Sequence, residues 1–286
     1  MIKLLPVLAL AFLTACSPAP DPGASQEPQT SQAQPSIETA LNAASVGEHR
    51  SADNIARNAY RHPTETLTFF GLKDDMTVLE IHPGGLWYTE ILAPVLKEHG
   101  KLLVAGHDTS IAGQPDYRYS QQANMLQRFS EQADIFGAVG VVTFTPPDSI
   151  QLGEPASVDM LLTFRNFHGW IRDGVAAENM QAFYQVLKPG GVLGIVQHRT
   201  DSPEPLASGK ISGYVSEAQM IALAEAAGFV LEARSEINAN PKDNHQHPEG
   251  VWTLPPTLRL GDENRQAYLA IGESDRMTLR FRKPEA

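Results

Sequence analysis

The stretch Thr77 to Val95 constrains this chain more than any other. Thr77–Ile81 is a short apolar run rich in β-branched residues, and it reads as a buried parallel strand. Pro83-Gly84-Gly85 breaks the run where the backbone can turn sharply and no side chain bars a ligand. Trp87, Ile91, Leu92 and Val95 follow at helical spacing. Strand, glycine turn and helix in that order build an α/β unit, with a helix N-terminus and bare N–H groups aimed above the strand. Glu80 adds a carboxylate at the strand end, which suits a cationic or hydroxyl-bearing ligand and repels a pyrophosphate.

The same alternation runs on through the chain. Lys101–Ala105 is a second strand ending Gly106-His107-Asp108, and Asp108 stands 24 residues past Gly84. A carboxylate about 20 residues after such a turn takes ribose hydroxyls in nucleoside-binding α/β folds; a loop aspartate without a ligand is the alternative. Val141–Phe144 is a third strand, followed by Pro146-Pro147-Asp148, where Asp148 suits a ligand contact and plain turn chemistry equally well. Val158–Phe164 runs into Arg165-Asn166-Phe167-His168, and Val192–Gln197 ends at His198-Arg199. Polar and aromatic side chains at strand ends mark the ligand edge of an open sheet. His82, Asn166, His168 and His198 are therefore expected to line one pocket, with Glu80 and Asp108 on its far wall. Arg57, Tyr60, Arg61 and His62 form a polar cluster before the first strand, read either as a solvated helix face or as a flap.

Phe229–Ile237 and Met277–Arg282 are the last two strands. About forty residues, 238–276, separate them. Loops longer than about 15 residues are uncommon unless functional, so this insert reads as a substrate lid. His245 and His247 lie within it, and two histidines in a polar loop are more often solvated than metal-bound. No metal is expected.

Glu80-x-His82-x-Gly84 resembles motif I of the class I S-adenosylmethionine-dependent methyltransferases, acidic-x-Gly-x-Gly-x-Gly, with His82 and Leu86 standing at the first and third glycines. Leu187-Lys188-Pro189-Gly190-Gly191 before a strand resembles the stretch preceding that family's fifth strand. The whole chain is similar to a group of envelope-associated predicted methyltransferases sharing Pro-Gly-Gly-x-Trp-Tyr-Thr, Arg-Asn-x-His and Glu-Gly-Val-Trp-Thr-Leu-Pro-Pro. The resemblance implies a Rossmann-like, doubly wound α/β fold. Its sheet would be seven-stranded and mostly parallel, with the last strand antiparallel. It further implies S-adenosylmethionine as cofactor, held by Glu80, His82, Gly84, Gly85, Asp108, Asp148, Arg165 and Asn166. His168 would lie beside the transferred methyl, and His168 or His198 would serve as base for a small-molecule acceptor. A nicotinamide dehydrogenase is disfavoured by Glu80 and by the absence of Gly-x-Gly-x-x-Gly.

The chain opens with Lys3 and an apolar run from Leu4 to Leu13, too short for a bilayer span of about 20 residues and suited to a secretory signal. Leu13-Thr14-Ala15-Cys16 resembles a bacterial lipobox, which implies cleavage before Cys16, the chain's one cysteine, and its lipidation. Residues 16–36, with five prolines among Ser, Gln and Ala, read as a disordered tether. Residues 37–286 would then be the methyltransferase-like domain, lipid-anchored in the cell envelope and facing the periplasm. A formal net charge of −11 and the lack of any basic run exclude a nucleic-acid partner. The expected absence of the methyl donor outside the cytoplasm keeps a second reading open: a tethered binding module that retained the fold and lost the chemistry.

Overall fold

The computed structural model describes residues 36–203, 205–206 and 208–285. The signal run, Cys16 and all but the last residue of the tether lie outside the described residues. The strands are β1 (Thr77–Ile81), β2 (Lys101–Gly106), β3 (Gly140–Thr145), β4 (Ser149–Gln151), β5 (Val158–Phe164), β6 (Leu187–His198), β7 (Val230–Ser235) and β8 (Arg276–Arg282). They join in one sheet in the order β4-β3-β2-β1-β5-β6-β8-β7. Four short helices precede β1: α1 (Ile37–Ser45), α2 (Ala52–Ala56), α3 (Asn58–Arg61) and α4 (Pro63–Phe70). α5 (Thr89–Leu96) links β1 to β2, and α6 (Asp116–Glu131) with α7 (Ala133–Phe136) links β2 to β3. α8 (Phe167–Arg172) and α9 (Ala176–Val186) link β5 to β6, α10 (Glu217–Ala226) leads to β7, and α11 (Arg265–Ile271) lies in the insert before β8.

β1 pairs in parallel with β2 on one side and β5 on the other, so the winding reverses beside β1. Helices cover both faces, and the period-two alternation of the strands sorts their side chains between two cores. Leu79, Ile81 and Leu161 join Trp170, Met180 and Phe183 on one face. Val78, Met160, Leu162 and Phe164 join Leu67, Phe70, Ile91 and Leu92 on the other. β7, at the sheet edge, alternates exposed and half-buried residues instead. The expected doubly wound, mostly parallel sheet is present, and β8 runs antiparallel to both neighbours.

The structure departs from the sequence reading in strand number and in where elements begin. The sheet has eight strands rather than seven, because Thr145 pairs back antiparallel with Ser149. Asp148 sits exposed in the turn of that hairpin and does not line the cavity that opens above β1, β2 and β5. The helix after the glycine turn begins at Thr89, not Trp87; Gly84 (φ 56°) and Leu86 (φ 65°) are left-handed, so no right-handed helix can run through them.

The insert is bound down at several points. Asn238 donates to Thr66 Oγ1 (3.0 Å) and Thr278 Oγ1 (2.9 Å). The buried carboxylate of Asp243 accepts from the Tyr214 hydroxyl, from His247 Nε2 and from the Asp275 backbone N–H, each at 2.8 Å. Gly250 (φ 58°) lies so close to Ser212 that a Cβ would stand 2.0 Å from its carbonyl oxygen, so only glycine fits there. His245 bonds Asp275 (3.3 Å) while its side chain stays partly exposed. Among the described residues no group of three or more His, Cys, Asp or Glu is arranged to hold a metal. No described helix is long and apolar enough to cross a membrane.

Candidate functional site

A cavity of about 450 Å³ opens above the carboxyl ends of β1, β2 and β5, where the winding reverses. His82 and Gly84 reach it from the turn after β1, and His107 from the end of β2. Arg165, Asn166 and His168 reach it from the end of β5, and Trp252 and Arg259 come over it from the insert. His82 and His168 thus share one cavity, and part of the insert folds back over it.

The two walls differ in what their polar groups already do. On the β1–β2 wall, His82 adopts φ 46°, which a non-glycine residue holds only when its surroundings impose it. Its Nε2 donates to the Phe144 carbonyl at 2.7 Å, and its ring packs 4.3 Å from that of His107. Burial, then the nearby His107, pushes His82 down to about 3, and burial with Arg118 brings His107 to about 4, so both rings are neutral at physiological pH. The space left between this pair, Gly84, Gln121 and Met125 is about 10 Å³, room for no more than about one water molecule. Gly84 and Gly85 remain open: a Cβ on either would meet nothing within 4 Å.

Neither expected carboxylate lines this cavity. Glu80 shares the parity of Val78 and therefore points into the core beneath α5, not up past the strand end. It is sealed there, accepts a 2.6 Å bond from Thr89 Oγ1, and burial raises it to about 7 despite that bond. Asp108 lies at the end of β2 but its Oδ1 accepts from the Ser110 hydroxyl (2.6 Å) and backbone N–H (3.0 Å). These bonds hold its carboxyl below the usual range, so it is ionised.

On the β5 wall, Asn166 donates to the Ile81 carbonyl (2.9 Å) and Thr163 Oγ1 (3.1 Å), which ties the ends of β1 and β5 together and leaves only its carbonyl side for a ligand. Gln197 fixes His168: its Oε1 accepts from the Phe167 N–H (3.1 Å), so its amide nitrogen donates to His168 Nδ1 (3.3 Å). Burial and then Arg165 lower His168 to about 4, and the neutral ring carries its proton on Nε2. It can donate to an oxygen but not take a proton from one at that atom, which corrects its reading as a base. His198 stands behind it, 5.9 Å between rings, with Nδ1 on Ser274 Oγ (2.5 Å); it does not line the cavity and is not placed to be a base either.

Arg165 is held at φ 66° at the end of β5. Burial lowers it to about 10, which leaves it cationic at neutral pH, and its side chain makes no hydrogen bond or ion pair among the described residues. Behind it, Glu273 bonds Arg57 (2.7 Å), Arg61 (2.8 Å) and Arg276 (3.1 Å). Burial would raise Glu273, but Arg276, Arg61, Arg57 and Arg165 outweigh it and hold it at about 2. Arg61 is buried, packs 4.8 Å over the Trp87 ring, and has two guanidinium nitrogens without a partner. Arg57 and Arg61 are thus not part of a solvated helix face. Sequence reasoning missed Glu273 because it lies more than 200 residues from Arg57 and Arg61, and missed Arg118, Arg172 and Arg259 because no local pattern marks them.

No family model and no curated protein matches the sequence. Solved structures do resemble it in fold. The [4+2]-cyclase SpnF aligns over 87% of this chain and 94% of its own, with a TM-score of 0.54 and 13% identity. A geranyl diphosphate methyltransferase in complex with SAM aligns over 85% and 94%, at 0.52 and 11%. A SAM-dependent methyltransferase from Aquifex aeolicus aligns over 80% and 93%, at 0.50 and 17%. At these identities the likeness is one of fold, and the chain has the Rossmann-like fold of those proteins.

Proposed function

We propose that this protein is an S-adenosylmethionine-dependent methyltransferase acting on a small molecule. The observation that carries the reading is the cavity's place: it sits at the switch point of this fold, against an open glycine turn. Two of the three structural relatives above are methyltransferases by name, and the third, a cyclase, is a reminder that the fold alone does not fix a reaction.

The residues present fit the donor in part. The bare backbone of Gly84 and Gly85 leaves it room, and Asp108 is an ionised carboxylate at the β2 end that would take ribose hydroxyls by exchanging the Ser110 hydroxyl. Glu80 would act through Thr89 and the helix it anchors, not by touching the donor. The donor supplies a methyl carbon on a sulfonium, which an acceptor lone pair takes as the carbon–sulfur bond breaks and its electrons return to sulfur. The protein's part is to hold two partners in line and exclude water, for which Trp252 and Arg259 of the insert close the cavity over His168. His168 would orient the acceptor through its Nε2 proton.

Calorimetric titration of the purified protein with S-adenosylmethionine tests this. Saturable binding is expected, weakened about tenfold or more by Asp108→Ala, and no binding to the wild type ends the reading. A second reading, a binding module without methyl transfer, is favoured by the histidine pair that fills the β1–β2 crevice. Transfer of radioactive methyl to any small molecule of an envelope extract would exclude it.

We further propose that Cys16 carries lipid and holds the protein on the envelope, facing the periplasm. Its support is Leu13-Thr14-Ala15-Cys16 behind an apolar run. Cys16→Ser should abolish palmitate labelling and release the protein to the soluble envelope fraction; equal label in both forms would refute the anchor.

A further inference from the structure

The chain as a whole is acidic, with a formal net charge of −11, yet the cavity above β1, β2 and β5 is lined by Arg118, Arg165, Arg172 and Arg259 against one carboxylate, Asp173. Asp173 is taken by Arg172 at 2.6 Å. Arg259 reaches Glu249 only at 3.4 Å on the exposed rim and stacks on Trp252. Arg118 has only neutral partners, the Tyr117 hydroxyl and Gln114, both at 3.4 Å. Arg165, the most buried of the four, makes no side-chain hydrogen bond or ion pair among the described residues. Behind it, Glu273 is the one carboxylate paired with Arg57, Arg61 and Arg276, and Arg61 keeps two buried nitrogens unsatisfied. A surplus of half-buried and buried cations costs several kcal/mol unless an anion answers it. Among the described residues no carboxylate bonds Arg165 directly; Glu273 acts on it only from a distance and is already shared by three other arginines. The cavity also offers a fixed neutral donor, His168 Nε2–H, set by Gln197.

We propose that this cavity binds an oxyanion, and that the methyl acceptor is an anionic small molecule whose carboxylate or phosphate is held by Arg165 and His168, with Arg118 and Arg259 at the mouth. A guanidinium pairs with both oxyanions through two parallel N–H···O bonds. The word acceptor rests on the methyl-transfer reading above; the anion site does not. The opposing possibility is that Arg165 receives the carboxylate of the donor itself.

Two of the three tryptophans, Trp170 and Trp252, line the cavity, so intrinsic fluorescence reports on it. The purified protein is titrated with inorganic phosphate and with acetate at constant ionic strength, with and without saturating S-adenosylhomocysteine. Wild type should show saturable change with at least one anion, and the tighter of the two identifies the class. Arg165→Gln should weaken it about 10- to 100-fold. Arg259→Gln, on the rim, should weaken it less. S-adenosylhomocysteine should not displace the anion. Equal anion affinity in wild type and Arg165→Gln, or no saturable change at all, overturns the proposal. So does displacement of the anion by S-adenosylhomocysteine together with loss of its binding in Arg165→Gln, which would give Arg165 to the donor. Anion binding without any binding of S-adenosylhomocysteine to wild type would keep the anion site and sink the methyl-transfer reading instead. Should Arg165→Gln not fold by near-ultraviolet circular dichroism, Arg165→Lys keeps the charge without the fork, and an unchanged affinity in it alongside unchanged affinity in Arg259→Gln would equally overturn the assignment.

Discussion

On the β1–β2 wall of the cavity the polar groups answer one another: His82 bonds the Phe144 carbonyl, packs on His107, and leaves almost no space between them. On the β5 wall, one strand over, Arg165 faces the cavity with no hydrogen bond or ion pair among the described residues, in front of three more arginines sharing Glu273. Both walls hold non-glycine residues at positive φ, His82 and Leu86 on one, Arg165 on the other, so both are imposed by their surroundings. The first uses that strain to close a crevice; the second uses it to present a charge. A motif therefore marks a place in the fold, while the bonds its side chains already make decide whether they are available to a ligand.

The contrast breaks most severely at Glu273. Glu273→Gln removes the carboxylate shared by Arg57, Arg61 and Arg276 and should cost about 3–5 kcal/mol in denaturant unfolding. The sign of the pH effect follows from its depressed value. Its contribution is complete above the unfolded carboxylate range, about 4.3, and is lost as pH falls toward about 2, a dependence the variant should lack. A wild-type loss below pH 4 that survives in Glu273→Gln would show that other groups govern the acid limb.

Glu80 sharpens the comparison in the opposite direction, since its value is raised to about 7. Here the folded state favours the protonated acid, so the contribution is full below the unfolded value and is lost as pH rises through about 7. Glu80→Gln should thus gain on the order of 1–3 kcal/mol over wild type at pH 8.5 and little at pH 5. Flat, parallel stability curves for the two proteins would mean that Glu80 is not sealed as described.

The smallest effect is expected at Asp148. It stands exposed in the β3–β4 turn, so Asp148→Ala should change neither thermal unfolding nor calorimetric binding of S-adenosylmethionine measurably. A clear loss of binding would restore it to the site and show that the hairpin closes over the ligand.

Much of the architecture was legible because it rests on short-range patterns. Apolar runs of four to seven residues located β1, β2, β3 and β5 within a residue or two, and the run at Pro83-Gly84-Gly85 located the turn. The gathering of His82, Asn166 and His168 at one rim followed from the rule that parallel strands end on the same edge. Legibility failed where one residue of phase mattered. Glu80 was read as ending its strand, but β1 continues to Ile81, and the alternation of a strand turns Glu80 into the core. His168 was read as a base on residue type alone, whereas its proton position depends on Gln197, 29 residues away and oriented by the Phe167 N–H.

The sequence by itself determined the α/β alternation, the central place of the glycine turn, the length of the insert and the acidic balance of the chain, since propensity, periodicity and charge count act within a few residues or over the whole composition. Only the tertiary structure decided that the cavity in this acidic chain is basic. Arg57 and Arg61 meet Glu273 across more than 200 residues, Arg259 arrives from the insert, and Arg165 is left over. No local rule brings such residues together; their meeting is set by strand order and by the burial that makes an unpaired charge costly.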